Sequence, residues 1–330
     1  METLRGASLL VTGATGSFGK ALLRQVLDHG DPARVVVYSR DELKQYEARR
    51  LFADDPRIHW VIGDVRDRDR LRTAMRGVDH VVHAAALKQV DAGESNPAEF
   101  IRTNITGSQN VADAAAEAGV AKVVALSTDK ACRPVNLYGG TKLVADKLFV
   151  AANAETAPHG TRYAVVRYGN VLGSRGSVVP FFRATARAGR SLPITDKRMT
   201  RFWIGLDQAV RFVLDTFDQM QGGELYVPRI PSMRITDLAQ AIAPDGVQHE
   251  IGLRPGEKLH EEMIHPDDAP QVVRLGDRYI VQPALSGLGY RPPAGALPVP
   301  DGFSYSSDRN DLWLGVDELR AMLDRTEEQA

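Results

Sequence analysis

Six short apolar runs punctuate the first half of the chain: Ser8–Thr12, Arg34–Tyr38, His59–Ile62, His80–His83, Lys122–Leu126 and Tyr163–Arg167. They are rich in Val, Ile and Leu and mostly continuous rather than alternating, the pattern of strands covered on both faces. Between them, stretches such as Gly19–His29 and Ala98–Ala118 carry apolar residues at three- and four-residue spacing, which predicts helices. A further helix is expected from about Tyr138, ahead of the sixth run. Alternating strands and helices predict an α/β fold with a doubly wound parallel sheet.

After Gly169 the texture changes. Gly and Pro become frequent, and the strand candidates Leu192–Ile194, Leu225–Ile230 and His249–Leu253 are short and scattered. Gln282–Gly302 reads as a surface excursion without regular structure. A chain of 330 residues exceeds what one core usually organises. The expectation is a dinucleotide-binding domain over 1–170 and a smaller, irregular substrate lobe over 171–330, with 205–222 returning to the first domain as a helix.

Composition narrows the function by exclusion. Forty-one Lys and Arg against forty-two Asp and Glu give a formal charge of -1, without the basic excess of a nucleic-acid binder. One cysteine rules out an intramolecular disulfide and a cysteine-rich zinc site. No apolar run approaches the ~18 residues of a membrane span. Met1–Ala7 is too short for a signal peptide. The chain is expected to be soluble and cytoplasmic, with no membrane partner.

Val11–Gly19 follows the first strand and opens the first helix. Gly13, Gly16 and Gly19, spaced by Thr15, Ser17 and Phe18, allow a tight turn, close approach to a pyrophosphate and tight helix–strand packing. The helix N-terminus offers free N–H groups to the phosphates. This is the Rossmann pattern. The second strand leads into Ser39, Arg40 and Lys44, which suit a 2′-phosphate, while Asp41 stands late for a ribose hydroxyl; NADP is favoured over NAD. Asp64 and Val65 follow the third strand, where a side chain meets adenine. Ala84, Ala85 and Ala86 follow the fourth, small enough for close approach of the nicotinamide half.

Tyr138 and Lys142 lie four residues apart on one helix face. A phenol of pKa ~10 is a poor base at neutral pH, and a nearby ammonium should lower that value. The pair suits removal of a hydroxyl proton while hydride leaves for nicotinamide. Thr128, Asp129 and Lys130 end the fifth strand, where open α/β sheets place ligands. Thr128 can bind the reacting hydroxyl. Asp129 and Lys130 add an acid–base pair that alcohol oxidation does not need. Lys130 serves as a base only if its surroundings lower its pKa from ~10.4.

With these motifs the chain resembles the extended short-chain dehydrogenases/reductases. More narrowly it resembles the inverting, C5-epimerising UDP-N-acetylglucosamine 4,6-dehydratases of pseudaminic acid-type pathways. The likeness runs through Thr12–Gly19, Tyr38–Gln45, His83–Lys88, Ser127–Cys132, Pro134–Gly139, Arg167–Val171 and Gly173–Phe182. It continues through Arg198–Ile204, Pro228–Met233, Arg254–Glu261 and Tyr305–Asp308. It departs at Gly139-Gly140, where alanine is usual, a change expected to alter helix packing slightly. The resemblance implies a redox-neutral dehydration of UDP-N-acetylglucosamine. Tyr138, Thr128 and Lys142 would assist oxidation at C4; Lys130 would be the base at C5 and Asp129 the acid at the C6 hydroxyl, with the two roles exchangeable. C5 would be reprotonated on the opposite face, giving the L-arabino 4-keto-6-deoxy sugar. Lys88, placed at both cofactor and substrate, and Asn170, Val178, Thr195, Arg201, Arg254 and Glu257 match positions near the nucleotide sugar. Arg201 and Arg254 suit a diphosphate. A homo-oligomer is expected.

His260 and His265 are five apart and cannot share the helix face of a zinc-protease motif, so no metal site is expected. Cys132 reads as a small packing residue. Two other readings remain: a UDP-sugar 4-epimerase, which needs Tyr138 but neither Asp129 nor Lys130, and a non-enzymatic dinucleotide sensor, against which the Tyr–Lys pair argues.

Overall fold

A computed structural model describes residues 1–156, 160–173, 177–284 and 290–328. The six apolar runs are strands β1 Ser8–Thr12, β2 Arg34–Ser39, β3 Ile58–Ile62, β4 His80–His83, β5 Lys122–Thr128 and β6 Arg162–Tyr168. They pair in parallel in the order 3-2-1-4-5-6. Every residue of β1 is buried, because helices cover both faces of its sheet. Leu10 sits opposite Val36 on one side and Val81 on the other, so the continuous apolar runs interlock as one core.

The sheet does not end at β6. Leu225–Pro228 adds a parallel strand, and Arg278–Val281, Val272–Leu275 and Leu297–Pro298 follow antiparallel to make ten. The expectation that Gln282–Gly302 lacks regular structure is therefore corrected at Leu297–Pro298, which pairs with Val273 and Arg274. Two residues on a sheet edge carry no period of their own, and an edge tolerates Pro298. Residues 285–289 of that stretch lie outside the described residues.

The helix Leu206–Gln219 sends Val210, Val213, Leu214 and Phe217 into the main core, and Gln25 Nε2 donates to Asp207 O at 3.2 Å. A second cluster, including Phe182, Trp203, Met233, Leu238 and Leu323, forms a separate core in the C-terminal half. The predicted helix Ala98–Ala118 is interrupted. Pro97–Phe100 is α-helical, Ile101–Thr106 is a π turn, and Gly107–Ala118 resumes the α-helix until Gly119 adopts φ 70°. No helix among the described residues is long and apolar enough to cross a membrane.

Candidate active site

One cleft of about 970 Å³ opens at the C-terminal ends of the parallel strands, walled by residues of both cores. Of the candidate site residues named from the sequence, all but Asp129 line it: Gly13, Thr15–Gly19, Ser39, Arg40, Lys44, Asp64, Val65, Ala84–Ala86, Lys88, Thr128, Lys130, Tyr138, Lys142, Asn170, Val178, Thr195, Arg201, Arg254 and Glu257. Asp129 is fully buried directly behind Lys130. Ser174-Arg175-Gly176, within the Gly173–Phe182 motif, lie outside the described residues.

The Gly-rich turn has the shape of a phosphate cradle. Gly13 has φ +70°, and a Cβ there would come within 2.8 Å of Ala85 N. A Cβ on Gly19 would meet Ala14 Cα at 2.3 Å, so glycine alone lets the helix approach the turn. Helix Ser17–His29 begins at Gly16 with no side-chain cap, leaving its first N–H groups without the side-chain acceptor a helix start often has. These features fit a dinucleotide pyrophosphate.

At the end of β2, Asp41 is occupied as a helix cap. It accepts from Lys44 N at 3.0 Å and pairs with Lys44 Nζ at 3.0 Å. Ser39 Oγ accepts from Gln45 Nε2, and Arg40 lies 3.7 Å from Asp64. Three polar groups of the kind that meet a 2′-phosphate thus surround this corner of the cleft.

The helix Leu137–Thr156, which carries Tyr138 and Lys142, is pressed against the Asp129–Ala131 turn. A Cβ on Gly139 would stand 2.2 Å from Lys130 O, whereas one on Gly140 would meet nothing within 4 Å. Asn136 Oδ1 accepts from Gly139 N at 2.8 Å at the helix start. Beneath the cleft, Asp146 Oδ2 accepts from Ser127 Oγ at 2.7 Å and from Arg167 Nη2 at 3.1 Å, joining β5, the Tyr138 helix and β6.

The electrostatics differ from the expectation in two places. Burial pushes the Tyr138 phenol up to about 12, outweighing the help that Lys130 and Thr128 give the phenolate. The lowering charge is Lys130, not Lys142, whose own ammonium is disfavoured by burial and only partly restored by Asp146. Burial also disfavours a charge on Lys130, but the Asp129 and Glu261 carboxylates outweigh it and hold its pKa above the ordinary lysine value. Their oxygens lie 3.0 and 3.2 Å from Lys130 Nζ. The resting pair is an ammonium between two carboxylates, and the expected downward shift is corrected to an upward one.

Arg201 lines the cleft with its fork already engaged: Nη1 donates to Thr200 O and Leu259 O, and Nη2 to Lys258 O. Arg254 is paired with Glu257. His260 Nδ1 contacts Thr200 Oγ1 at 2.8 Å, and His265 caps the turn Pro266–Gln271. Sequence reasoning missed Glu261, although it closes the quoted Arg254–Glu261 motif, and Asp146, one of two acids on helix Leu137–Thr156. It also missed Asn104, which sits in the π turn, donates to Leu87 O and Thr141 Oγ1 and accepts from Leu87 N.

Comparison with known proteins agrees with this geometry. The chain is 52% identical, over 97% of its length and 98% of the relative's, to a protein of Campylobacter jejuni serotype O:2 named UDP-N-acetylglucosamine 4,6-dehydratase (inverting). It is 42% identical, over 86% of its length and 85% of the other's, to a Rickettsia canadensis protein named UDP-glucose 4-epimerase. The crystal structure of a dTDP-glucose 4,6-dehydratase from Streptomyces venezuelae with NAD bound superposes with a TM-score of 0.69 at 26% identity, over 76% of this chain and 86% of that one. A family described as polysaccharide biosynthesis protein matches residues 9–283. By that match, which spans the whole parallel sheet and most of the cleft, the chain belongs to the polysaccharide biosynthesis protein family.

Proposed function

We propose that the protein is an inverting UDP-N-acetylglucosamine 4,6-dehydratase, a hydro-lyase. The observation that carries this reading is its 52% identity, over nearly the full length of both chains, to the Campylobacter protein of that name. The acid–base pair Asp129–Lys130 beside Tyr138 supports it, since dehydration needs both groups.

A nicotinamide dinucleotide, when bound, supplies the hydride acceptor for C4 and the hydride donor for C6, so the reaction is redox-neutral. The uncapped helix start at Ser17, with Gly13 and Gly16, would hold its pyrophosphate; Asp64 and Val65 its adenine; Ala84–Ala86 its nicotinamide side. Ser39, Arg40 and Lys44 favour NADP, because Asp41, the acid that follows Arg40, caps its helix and pairs with Lys44.

Once Tyr138 has lost its own proton to solvent, its phenolate, favoured by Thr128 and by the charge of Lys130, takes the C4 hydroxyl proton. The C4 ketone acidifies the C5 hydrogen. Lys130 Nζ, which faces the cleft, removes it after passing its own extra proton to Asp129 across their 3.0 Å contact. Asp129, buried behind Lys130, returns that proton through Lys130 Nζ to the departing C6 hydroxyl, which leaves as water. C5 then regains a proton from solvent on the opposite face, balancing the one Tyr138 gave up to solvent, while Tyr138 keeps the one it took from the C4 hydroxyl. Asn170, Val178, Thr195, Arg254, Glu257 and Lys88 line the part of the cleft left to the nucleotide sugar. Outward Leu43 and Tyr46, three residues apart on helix Glu42–Leu51, support a homo-oligomer.

The 42% identity to a UDP-glucose 4-epimerase favours a second reading, in which Asp129 and Lys130 are not used. One experiment separates them. Purified protein incubated with UDP-N-acetylglucosamine in deuterated water should give a 6-deoxy-4-keto product bearing deuterium at C5, with no net cofactor consumed. A product that keeps its C6 hydroxyl and differs only at C4 sinks the dehydratase.

A further inference from the structure

Glu261 is a buried carboxylate, 2% exposed, for which the mechanism above has no use. It is held rigidly. Its N–H donates to Ser307 Oγ at 2.9 Å, Ser307 N donates back to its carbonyl at 2.8 Å, and Ser307 Oγ contacts Thr200 Oγ1 at 2.7 Å. Strand Glu262–Ile264, which follows at once, pairs with Tyr305–Ser306. The backbone at Glu261 is thus pinned to the segment 305–307, and Lys130 is the closest of the cations paired with its side chain among the described residues.

Glu261 Oε1 lies 3.2 Å from Lys130 Nζ and 3.8 Å from Arg201 Nε. Oε2 has no hydrogen-bond partner among the described residues; Lys258 Nζ stands 4.0 Å from it and donates to Cys132 O at 2.6 Å. On the other side of Lys130, Asp129 Oδ1 is 3.0 Å away while Asp129 Oδ2 is likewise unpartnered. Two half-satisfied buried carboxylates thus share one ammonium. Burying an anion so incompletely is an expensive way to fill space, since apolar side chains of similar volume often serve stability as well or better. The arrangement makes sense as control of charge.

We propose that Glu261 is a positioning residue which, with Asp129, fixes the proton and the aim of Lys130, so that the pair exchanges protons only once a sugar occupies the cleft. The charged and titratable groups facing Lys130 are Asp129 on its own turn, Glu261 and Arg201 from the C-terminal half, Lys88 after β4 and Tyr138 on helix Leu137–Thr156, with Lys258 behind Glu261. Arg201 and Lys88 are cationic and push the proton off; the carboxylates alone keep it on. The chemical use of this device rests on the dehydratase reading; the charge relationship does not.

The test uses the full chain labelled with [13Cε]lysine, the Lys130 signal being identified by its loss in Lys130→Met. In wild type the signal should stay at its ammonium position past the ordinary lysine midpoint of ~10.4. In Glu261→Gln the midpoint should fall by about 1–3 pH units relative to wild type, as removal of an adjacent opposite charge requires. Glu261→Asp, which keeps the charge, should restore most of the difference. The limb of the kcat/KM–pH profile that reports Lys130 should move in Glu261→Gln in the same direction. Equal Lys130 titration in wild type and Glu261→Gln, both folded by circular dichroism, overturns the proposal, as does a pH profile that does not move. If wild type makes no 6-deoxy product, the dehydratase reading falls, and the NMR comparison still decides the role of Glu261.

Discussion

Thr12 Oγ1 lies 2.8 Å from His83 Nδ1 and so ties the Gly-rich turn to the loop that follows β4. Ala84 and Ala85 N–H both donate to that hydroxyl, so its own proton goes to His83. His83 Nε2 must then carry the ring proton and donate to Ser108 Oγ at 3.1 Å, whose proton goes in turn to Asn104 O. The relay needs a neutral ring, and burial, aided by the Lys142 charge, holds the His83 pKa down to about 3.

An acid-sensitive stability follows. The folded value lies below the ordinary 6.5, so the contribution of His83 is complete above that pH and is lost as pH falls from 6.5 towards about 3. The slope from this one residue is up to ~1.4 kcal/mol per pH unit. His83→Gln keeps an acceptor for Thr12 but cannot titrate. Urea unfolding at about pH 7 and about pH 4.5 should show wild type losing more stability than the variant, by roughly 2 kcal/mol. Parallel losses would mean that His83 is not the group responsible.

Gly139 and Gly140 should respond oppositely to alanine. At Gly140 an added Cβ meets nothing within 4 Å in a helix interior, so Gly140→Ala should stabilise by about 0.5–1 kcal/mol. At Gly139 it would stand 2.2 Å from Lys130 O, so Gly139→Ala should destabilise and displace the Asp129–Lys130 turn. Thermal unfolding and turnover of both variants check this; a stable, fully active Gly139→Ala would contradict the packing.

Replacing Arg40 and Lys44 together with alanine should weaken NADP far more than NAD. Both side chains are half-exposed, and their pairs with Asp64 and Asp41 are solvent-screened surface ion pairs, which a phosphate can outcompete. Charged hydrogen bonds to a 2′-phosphate contribute ~1.5–3 kcal/mol each, so calorimetry should report a loss of about 10-fold or more for NADP alone. Equal loss for both cofactors would remove the NADP assignment.

The parallel sheet was legible because its strands are buried on both faces and write that burial as unbroken Val, Leu and Ile. The cofactor wall was legible because its chemistry is local, glycines and a helix start within nine residues of one another. Leu297–Pro298 was not, since an edge strand two residues long takes its form from Val273 and Arg274 rather than from its own pattern. The π turn at Ile101–Thr106 hides inside a helical period that continues on both sides of it. Glu261 was hidden for a different reason. Its partner belongs to the other half of the chain, and so does the upward shift of Lys130 that it helps to cause. Charge pairs between distant segments leave no periodic trace.

The last prediction separates oxidation at C4 from loss of water, using Tyr138 and Lys130. Tyr138→Phe should leave the fold intact and lower turnover by about 10²–10⁴-fold, the usual loss when a general base is removed. Because burial lifts the phenol to about 12, that oxygen is protonated at rest and depends on Lys130 for part of its phenolate character. Lys130→Met should therefore slow oxidation at C4 as well, but only in part, because Lys142 and Thr128 still line the same wall. Elimination should fare worse: Lys130→Met leaves no amine at 130 to take the C5 hydrogen or to pass the Asp129 proton to the leaving hydroxyl. With UDP-N-acetylglucosamine, Lys130→Met should build up reduced-cofactor absorbance and release little 6-deoxy product, whereas Tyr138→Phe should give neither. Rapid production of the 6-deoxy sugar by Lys130→Met would move the base at C5 to another residue.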